Sequence, residues 1–559
     1  MKKLLELILE YPKTTILLVV LITFLLGRQM KHLRFETDAE SMIPHNHPAY
    51  VYNDLVKDLF GVRDPLIVGI INENPNEDGV FNLRTLALIK RLSEKILEIE
   101  GVVTIREEDI PSLATMDGIM GTNFGMEVTP LMEELPTTAE EIKALKKSVY
   151  HNDMYVGWLV SQDGKAAAIM MKMEESKGTQ AGTRQRADVY FGVKKLLDEE
   201  INQGAPEKIY IAGRGAIEVT YGIYSSQDMG RFMPLVTLVI LAVLFLTYRS
   251  LRGVILPFSV VVFSVIWSLG IMGLTRTPMF SISTMIPVIL MACGVAYGIH
   301  ILGRYYQEVR EHPQHDRKEI VRATMLEMWS PVVMTALTTA AGFFSLYTAY
   351  MVPIRYFGLF SGIGILAAMI FSLTFLPASL VLLKPKQSRS LLKGNSSGQE
   401  RSVHRLLTRT SGLINRRGTL ILNLGLVIIV FSIIGLLRVY ADSTWIGSFS
   451  PKSEVRIADS VLREKFQGTL PLNVIIEGNE EGALKNPVLL KKIDRMQQYV
   501  EALPQGGGSL SIAEYLKRMN RVLNEDRRGM EVVPDSRNLV AQYLLLYSFS
   551  GDPDDFDEI

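Results

Sequence analysis

The chain has 559 residues, of which 48% are hydrophobic, and its formal net charge at pH 7 is zero. Balanced charge gives no electrostatic signal for nucleic-acid binding, so we expect no nucleic-acid partner. The single cysteine, Cys293, excludes an intrachain disulfide. The apolar residues are concentrated in blocks long enough to cross a bilayer, which needs about 20 such residues. The composition therefore predicts an integral membrane protein.

Residues 1–30 contain two lysines near the start and an apolar block at 14–27. A short apolar block after lysines is also typical of a signal peptide. However, the sequence at 27–30 offers no small-x-small cleavage site. Lys13 and Arg28 can also extend from the ends of a longer helix to the membrane surface. We therefore predict an uncleaved first transmembrane helix.

Residues 31–230 are predicted to form an external, porter-like α+β domain. The apolar run at 65–71 predicts a buried strand, and the periodicity at 83–99 predicts an amphipathic helix. Two apolar segments, 155–161 and 166–173, flank an Asp-Gly pair and predict a β-hairpin. Strands that alternate with helices and hairpins are typical of an α+β fold.

Residues 231–385 are predicted to form a bundle of five transmembrane helices. Each helix has an apolar core free of charged residues, and the cores lie at 232–248, 253–275, 277–299, 331–350 and 356–383. A basic cytoplasmic linker at 386–417, a seventh transmembrane helix at 418–438 and a second external domain at 439–559 complete the predicted order.

Lysine and arginine are concentrated in loops on one side of the predicted membrane. They occupy the N-terminal tip, the turn after the second helix, the segment 304–322 and the linker, whereas the opposite turns contain only Arg276 and Arg355. Because cytoplasmic loops carry the excess of positive residues, the N-terminus is predicted to be cytoplasmic. The large domains are then external or periplasmic, in a bacterial-type plasma (inner) membrane.

The two polar regions share an internal repeat. Residues 36–71 and 440–476 both run from an Asp through a Pro-containing loop to a helix that ends in Phe and then to a Pro-led strand. The amphipathic stretch 487–503 corresponds to 83–99. Parallel repeats of this kind are typical of transporters.

The repeat sets an expectation for the number of transmembrane helices. The first repeat is one helix, a polar domain and five further helices. A second complete repeat would therefore give twelve helices where seven are predicted. We accordingly expect a C-terminally truncated form, with the first half complete and the second half partial.

Three segments resemble the resistance–nodulation–division (RND) superfamily in its MMPL-type branch, whose central helices are similar to a sterol-sensing domain. These segments are GVAYGIHILGRYYQE at 294–308, SPVVMTALTTAAGFFSL at 330–346 and the run at 353–380. The resemblance implies a polytopic α-helical membrane protein with external α+β domains. It also implies export of hydrophobic or amphiphilic, lipid-like substrates driven by the proton motive force. Membrane lipids and the substrate are the expected partners, and a homo-oligomer is left open.

The chain departs from this family at one position in its fourth helix. The resemblance implies that pumping members usually carry a proton-relaying Asp immediately before a Tyr. Here Ala296 precedes Tyr297, and the five apolar cores contain no Asp or Glu. Ala296 is therefore the motif position that lacks the expected acid.

His300 lies one helical turn after Ala296 and is a candidate proton carrier, because histidine exchanges protons near neutral pH. The alternative is a histidine at the membrane interface. Further candidates for the relay are hydroxyl groups, on Tyr297, Thr335, Thr338 and Thr339. Threonines also occur where membrane helices simply pack closely.

Four glycines have the small-xxx-small spacing of packed membrane helices: Gly294, Gly298, Gly358 and Gly362. Neither glycine-rich segment is followed by the Lys-Ser/Thr pair of a P-loop, so ATP hydrolysis is not expected. His45 and His47 have no Cys or third His nearby, and no metal site is predicted there. No enzyme activity, catalytic residue or cofactor is predicted.

Two functions compete at this point. The first is a secondary exporter, expected to be complete only with its missing second half and favoured by the repeat and by the large external domains. The second is a non-pumping, sterol-sensing-like lipid sensor or membrane scaffold, favoured by Ala296.

Overall fold

The computed structural model describes residues 2–60, 65–102, 110–122, 125–152, 154–173, 180–383, 398–440, 444–504 and 506–550. Its α-helices in these residues are α1 (Lys2–Glu10), α2 (Pro12–Gln29), α3 (Pro48–Phe60), α4 (Leu83–Leu97), α5 (Ala139–His151), α6 (Gln180–Asn202), α7 (Arg214–Tyr248), α8 (Leu251–Leu274), α9 (Ile286–Glu311), α10 (Arg317–Ser345), α11 (Val352–Leu373), α12 (Phe375–Leu382), α13 (Gly398–Leu436), α14 (Glu454–Lys465), α15 (Pro487–Glu501), α16 (Ile512–Leu523) and α17 (Arg537–Ser550). The strands are β1 (Pro65–Ile71), β2 (Asp117–Thr122), β3 (Gly125–Pro130), β4 (Ala166–Lys172) and β5 (Lys208–Ala212).

The chain divides into two compact units. One consists of residues 1–34 and 226–444, and the other of residues 35–225 and 445–559. We call the first the membrane unit, because it contains the apolar helices, and the second the polar unit. The two predicted polar domains thus fall largely within one compact unit.

Within the described residues, seven helical segments are long and apolar enough to cross a membrane, as the sequence predicts. They are Pro12–His32, Arg214–Tyr248, Leu251–Leu274, Ser281–Glu311, Arg317–Thr348, Val352–Leu382 and Arg416–Leu436. The segments built on α8, α9 and α11 form the centre of the membrane unit, since 56%, 50% and 67% of the residues in their apolar windows are buried. The segments Arg214–Tyr248 and Arg416–Leu436 are mostly exposed.

The predicted first helix, 1–30, is two helices in the structure. Helix α1 ends at Glu10, and Pro12 opens α2, a position where the missing backbone N–H of proline costs nothing. Leu5, Ile8 and Leu9 of α1 are buried. The short first helix is therefore an amphipathic element packed within the membrane unit.

The charged segment between the third and fourth of the five apolar cores consists of extensions of α9 and α10. Helix α9 continues to Glu311, and α10 begins at Arg317 after a short turn. At the start of α10 the Asp316 amide donates to the Glu319 carboxylate at 3.2 Å. Part of the predicted linker, 386–417, lies outside the described residues. Its remainder opens α13, which has a non-helical conformation at Arg417.

The polar unit is built around a three-stranded antiparallel sheet in the order β4-β1-β5. The central strand, β1, pairs with β4 from Pro65 to Ile71 and with β5 from Ile67 to Ile71. One face of the sheet packs on the apolar sides of α4 and α6. Strands β2 and β3 form a separate hairpin.

The predicted hairpin around the Asp-Gly pair is only half correct. Segment 166–173 forms β4, and Gly164 adopts the turn with a φ of +70°. The predicted strand at 155–161 pairs with β4 only at its end, where the Ala168 amide donates to the Leu159 carbonyl and the Ser161 amide donates to the Ala166 carbonyl, both at 2.9 Å. Before this pairing the chain forms a turn, in which the Tyr155 carbonyl accepts hydrogen bonds from the amides of Leu159 (2.9 Å) and Val160 (3.1 Å). Gly157 permits this local fold with a φ of +87°.

The second polar region contains its predicted helices, α14 and α15, but not its Pro-led strand. Residues 471–476 are not a strand, and Leu472 and Val474 are 87% and 57% exposed. No strand in the described part of the chain pairs with them, whereas β1 has a partner on each side. Helix α14 instead covers the sheet, and Leu462 and Phe466 pack on side chains of β1, β4 and β5. The internal repeat stays a prediction.

Candidate functional site

The centre of the membrane unit contains a buried tyrosine on α9. Tyr297 is 3% exposed, and its hydroxyl lies near the Thr339 side chain of α10. The Thr339 hydroxyl also donates to the Thr335 carbonyl at 2.7 Å. Two of the predicted relay residues, Tyr297 and Thr339, are therefore brought together between neighbouring helices.

The other two threonines face outward. Thr335 and Thr338 are exposed, and the Thr338 hydroxyl donates to the Met334 carbonyl of its own helix at 2.9 Å. Threonine hydroxyls commonly bond in this way to the preceding turn. The structure does not join these two side chains to Tyr297.

His300 lies on a different side of α9 from Tyr297. Its side chain is exposed, whereas Tyr297 is buried, and Ala296, one turn before His300, is half-buried. The predicted path from His300 through Tyr297 to the threonines is not present as a continuous contact in this structure. The proton-carrier role of His300 stays a prediction.

Sequence reasoning missed a set of buried serines in the same unit. The Ser268 hydroxyl of α8 donates to the Phe360 carbonyl of α11 at 2.7 Å, and the Ser264 hydroxyl donates to the Val261 carbonyl at 2.7 Å. Ser361 and Ser372 of α11 are fully buried, and their hydroxyl oxygens have no hydrogen-bond partner. Serines are common in membrane helices, so their spacing alone did not mark them.

The four predicted packing glycines lie at helix contacts around this centre. A Cβ at Gly298 would lie 2.7 Å from Pro257 Cβ of α8, and one at Gly294 would lie 3.4 Å from Ala368 Cβ of α11. A Cβ at Gly362 of α11 would lie 2.5 Å from Phe344 Cε1 of α10. A Cβ at Gly358 would contact the Phe343 carbonyl oxygen. The absence of side chains lets these helices approach closely.

The charged end of α9 is organised by Arg304, which sequence reasoning also missed. Its guanidinium contacts Glu308 at 3.0 Å and Glu311 at 3.4 Å, and it pairs with Glu327 of α10. The signal was the spacing of Arg304 and Glu308, which lie four residues apart on one helical face. The pair with Glu327 joins the end of α9 to α10.

The polar unit has a buried ion network where α7 begins. Glu218 is 2% exposed, accepts a hydrogen bond from Arg214 Nε at 3.0 Å and pairs with Arg186 of α6. Arg214 also contacts Glu40 at 3.3 Å, and Lys57 donates to the same carboxylate at 2.6 Å. The network ties the chain before α3 to the start of α7.

A second polar contact joins the two polar regions to each other. Lys465 of α14 donates to Asp163 at 2.8 Å, and the Ser161 hydroxyl donates to the same carboxylate at 2.6 Å. Partial burial alone would raise the pKa of Asp163. The hydrogen bonds from Lys465, Ser161 and the Lys165 amide together outweigh burial and lower this pKa to about 2.

Comparison with known proteins identifies the family. Residues 111–420 match the MMPL family, which is more than half of the chain. A membrane protein of Methanocaldococcus jannaschii is 23% identical over 386 residues, which cover 67% of this chain and 91% of that protein.

Longer relatives match over a smaller share of their own length. A membrane protein of Streptomyces coelicolor is 25% identical over 46% of this chain and 36% of that protein. MmpL4 of Mycobacterium leprae, named as a transport protein, is 29% identical over 40% of this chain and 23% of that protein. The match and the seven apolar helices show that the chain belongs to the MMPL family, of which membrane transport proteins are members, and that it is a multi-pass membrane protein.

Proposed function

We propose that this protein exports hydrophobic or amphiphilic, lipid-like molecules across a bacterial-type plasma membrane, driven by the proton motive force. The observation that carries the proposal is the MMPL match over residues 111–420, because relatives from the same family are named as transport proteins. The membrane lipid bilayer supplies such substrates directly to exposed helices. The polar unit is proposed to lie on the external side, where it receives the exported molecule.

The contact between Tyr297 and Thr339 supports a role for α9 and α10 in energy coupling. Tyr297 directly follows Ala296, which is the position where the acid is expected. A hydroxyl pair can pass a proton along hydrogen bonds, but a tyrosine does not itself change charge near pH 7. The proposal therefore assigns Tyr297 and Thr339 a positioning role on the proton path and keeps His300 as the titrating candidate.

Reconstituted vesicles test this assignment. The full chain is inserted into liposomes, a pH gradient is imposed, and the movement of a fluorescent phospholipid is followed. Tyr297→Phe removes the buried hydroxyl without changing the ring, and we expect gradient-driven transport to fall about tenfold, which corresponds to the loss of one hydrogen bond of about 1.4 kcal/mol. Tyr347→Phe is the matched control, because Tyr347 is 55% exposed.

The control variant should transport like the wild type. Equal gradient-driven rates in the wild type and in Tyr297→Phe would show that this hydroxyl takes no part in coupling. The gradient-independent rate is measured in the same vesicles, so that loss of coupling is distinguished from loss of folded protein.

The alternative function is a non-pumping, sterol-sensing-like lipid sensor or scaffold. It is favoured by Ala296 and by the lack of Asp or Glu in the five apolar cores. A charged carboxylate in a membrane helix is energetically costly, so its presence usually indicates a functional role such as proton transfer. The sensor or scaffold function predicts saturable lipid binding that does not respond to the pH gradient, both in the wild type and in the variants.

A further inference from the structure

Three side chains with metal-binding atoms converge at the connection between α9 and α10. Glu308, His312 and His315 each offer one ligand atom, and these atoms lie within 4.8 Å of one another. The shortest separation is 3.1 Å, from Glu308 Oε1 to His312 Nδ1. This cluster is separate from the Tyr297 contact and has no part in the function proposed above.

The backbone explains why these residues meet. Glu308 and His312 are four residues apart and share one face of the last turn of α9. The helix ends at Glu311, His312 caps it, and the chain then turns so that the His315 amide donates to the His312 carbonyl at 3.2 Å. The two imidazole rings stack, with centroids 4.7 Å apart and planes inclined by 10°. Both rings are thereby presented beside the carboxylate.

The charges around the cluster suit a divalent cation. Glu308 is 5% exposed, and its Oε2 contacts Arg304 at 3.0 Å, which leaves Oε1 directed at His312. Arg304 also pairs with two other carboxylates, those of Glu311 and Glu327. One guanidinium therefore meets three carboxylates, and the negative charge exceeds the positive charge within this group.

We propose that Glu308, His312 and His315 bind a Zn²⁺ ion. Two neutral imidazoles and one carboxylate, with water in a fourth position, are a ligand set that zinc takes in proteins. Calcium and magnesium prefer oxygen ligands and are disfavoured here. The bound ion would join the last turn of α9 to the turn before α10 and so restrain the connection between the fourth and fifth apolar helices.

Metal titration of the whole chain tests the site. The protein is purified in detergent with a tag that contains no histidine, and Zn²⁺ is titrated against a fluorescent chelator. We expect one tight site per chain. His312→Ala and His315→Ala should each weaken it by at least about tenfold, because each removes a ligand. His315 is exposed, so its replacement leaves the packing of α9 intact.

The matched control is the double variant His45→Ala, His47→Ala. These histidines are also close together in sequence, but they lie in the polar unit, where His45 stacks on Tyr50 and His47 Nδ1 accepts from the Ala49 amide. The control should bind Zn²⁺ like the wild type. Co²⁺ gives a second readout, because its visible absorption should reach a four-coordinate intensity in the wild type and lose it in His315→Ala.

Three results would overturn the proposal. They are the absence of a tight Zn²⁺ site in the wild type, wild-type affinity in both His312→Ala and His315→Ala, and loss of the site in the His45, His47 control. Size-exclusion profiles accompany each titration, so that a variant that fails to fold is replaced by Glu308→Gln, which keeps the side-chain shape and removes the charged ligand.

Discussion

Lys465 on α14 donates a hydrogen bond of 2.8 Å to the Asp163 carboxylate in the turn before β4. This contact joins residues that are 302 positions apart and belong to the two predicted polar regions. It accompanies the packing of Leu462 and Phe466 on the sheet. The two polar regions therefore pack against each other within the polar unit.

The Asp163 contact predicts a pH-dependent contribution to stability. The pKa of Asp163 is lowered from its usual 3.8 to about 2 in the folded protein. A lowered pKa means that the stabilisation is present above about pH 4 and is lost as the pH falls toward about pH 2. Because the carboxylate is 44% exposed, solvent screening limits the effect to about 1 kcal/mol or less.

Thermal unfolding of Asp163→Asn as a function of pH measures this contribution. The variant should unfold at a lower temperature than the wild type at pH 7, and the two should converge near pH 2. Asp535→Asn is the control, because Asp535 pairs with Lys491 but is 89% exposed, and it should match the wild type throughout. A difference for Asp163→Asn that persists unchanged at low pH would contradict the prediction.

Close helix packing at Gly298 predicts a position-specific effect of one methyl group. A Cβ at Gly298 would lie 2.7 Å from Pro257 Cβ, whereas a Cβ at Gly303 on the same helix would contact nothing within 4 Å. Gly298→Ala should therefore destabilise the protein by about 1–3 kcal/mol through overpacking. Gly303→Ala should be neutral or stabilise it by up to about 1 kcal/mol, since alanine favours helix.

Fluorescence-detected size exclusion after heating compares the two glycine variants in detergent. The melting temperature of Gly298→Ala should lie below that of Gly303→Ala. An equal melting temperature for both would mean that α8 and α9 do not approach each other as closely as the structure has them.

The distribution of lysine and arginine predicts the orientation, which cysteine labelling checks. With Cys293 replaced by alanine, single cysteines at Asp163 and Glu477 should react with an impermeant reagent in intact cells. A cysteine at Gln314, in the turn between α9 and α10, should react only after permeabilisation. Protection at position 163 or 477, or reaction at 314 in intact cells, would reverse the topology.

The elements that the sequence predicts well are those that depend on local pattern. Apolar length alone locates the seven membrane helices, and amphipathic periodicity locates α4 and α15. The strand at 471–476 fails because a strand needs hydrogen-bond partners from elsewhere in the chain, and Leu472 is left exposed.

The candidate site is harder to predict for the same reason. The meeting of Tyr297 with Thr339 depends on how α9 and α10 pack, and the outward direction of His300 depends on which helices cover its face. The pairing of Arg186 with Glu218 likewise joins residues 32 positions apart on different helices. Spacing within one helix cannot supply such contacts.

The most direct test of proton-driven export is transport in vesicles that contain this protein. Outward movement of a fluorescent phospholipid is measured with a pH gradient, without one, and with a gradient dissipated by a protonophore. We predict that the gradient accelerates transport, that the protonophore abolishes this acceleration, and that His300→Ala loses it while gradient-independent lipid binding remains. Lipid binding with no response to the gradient in the wild type would contradict export and favour the sensor.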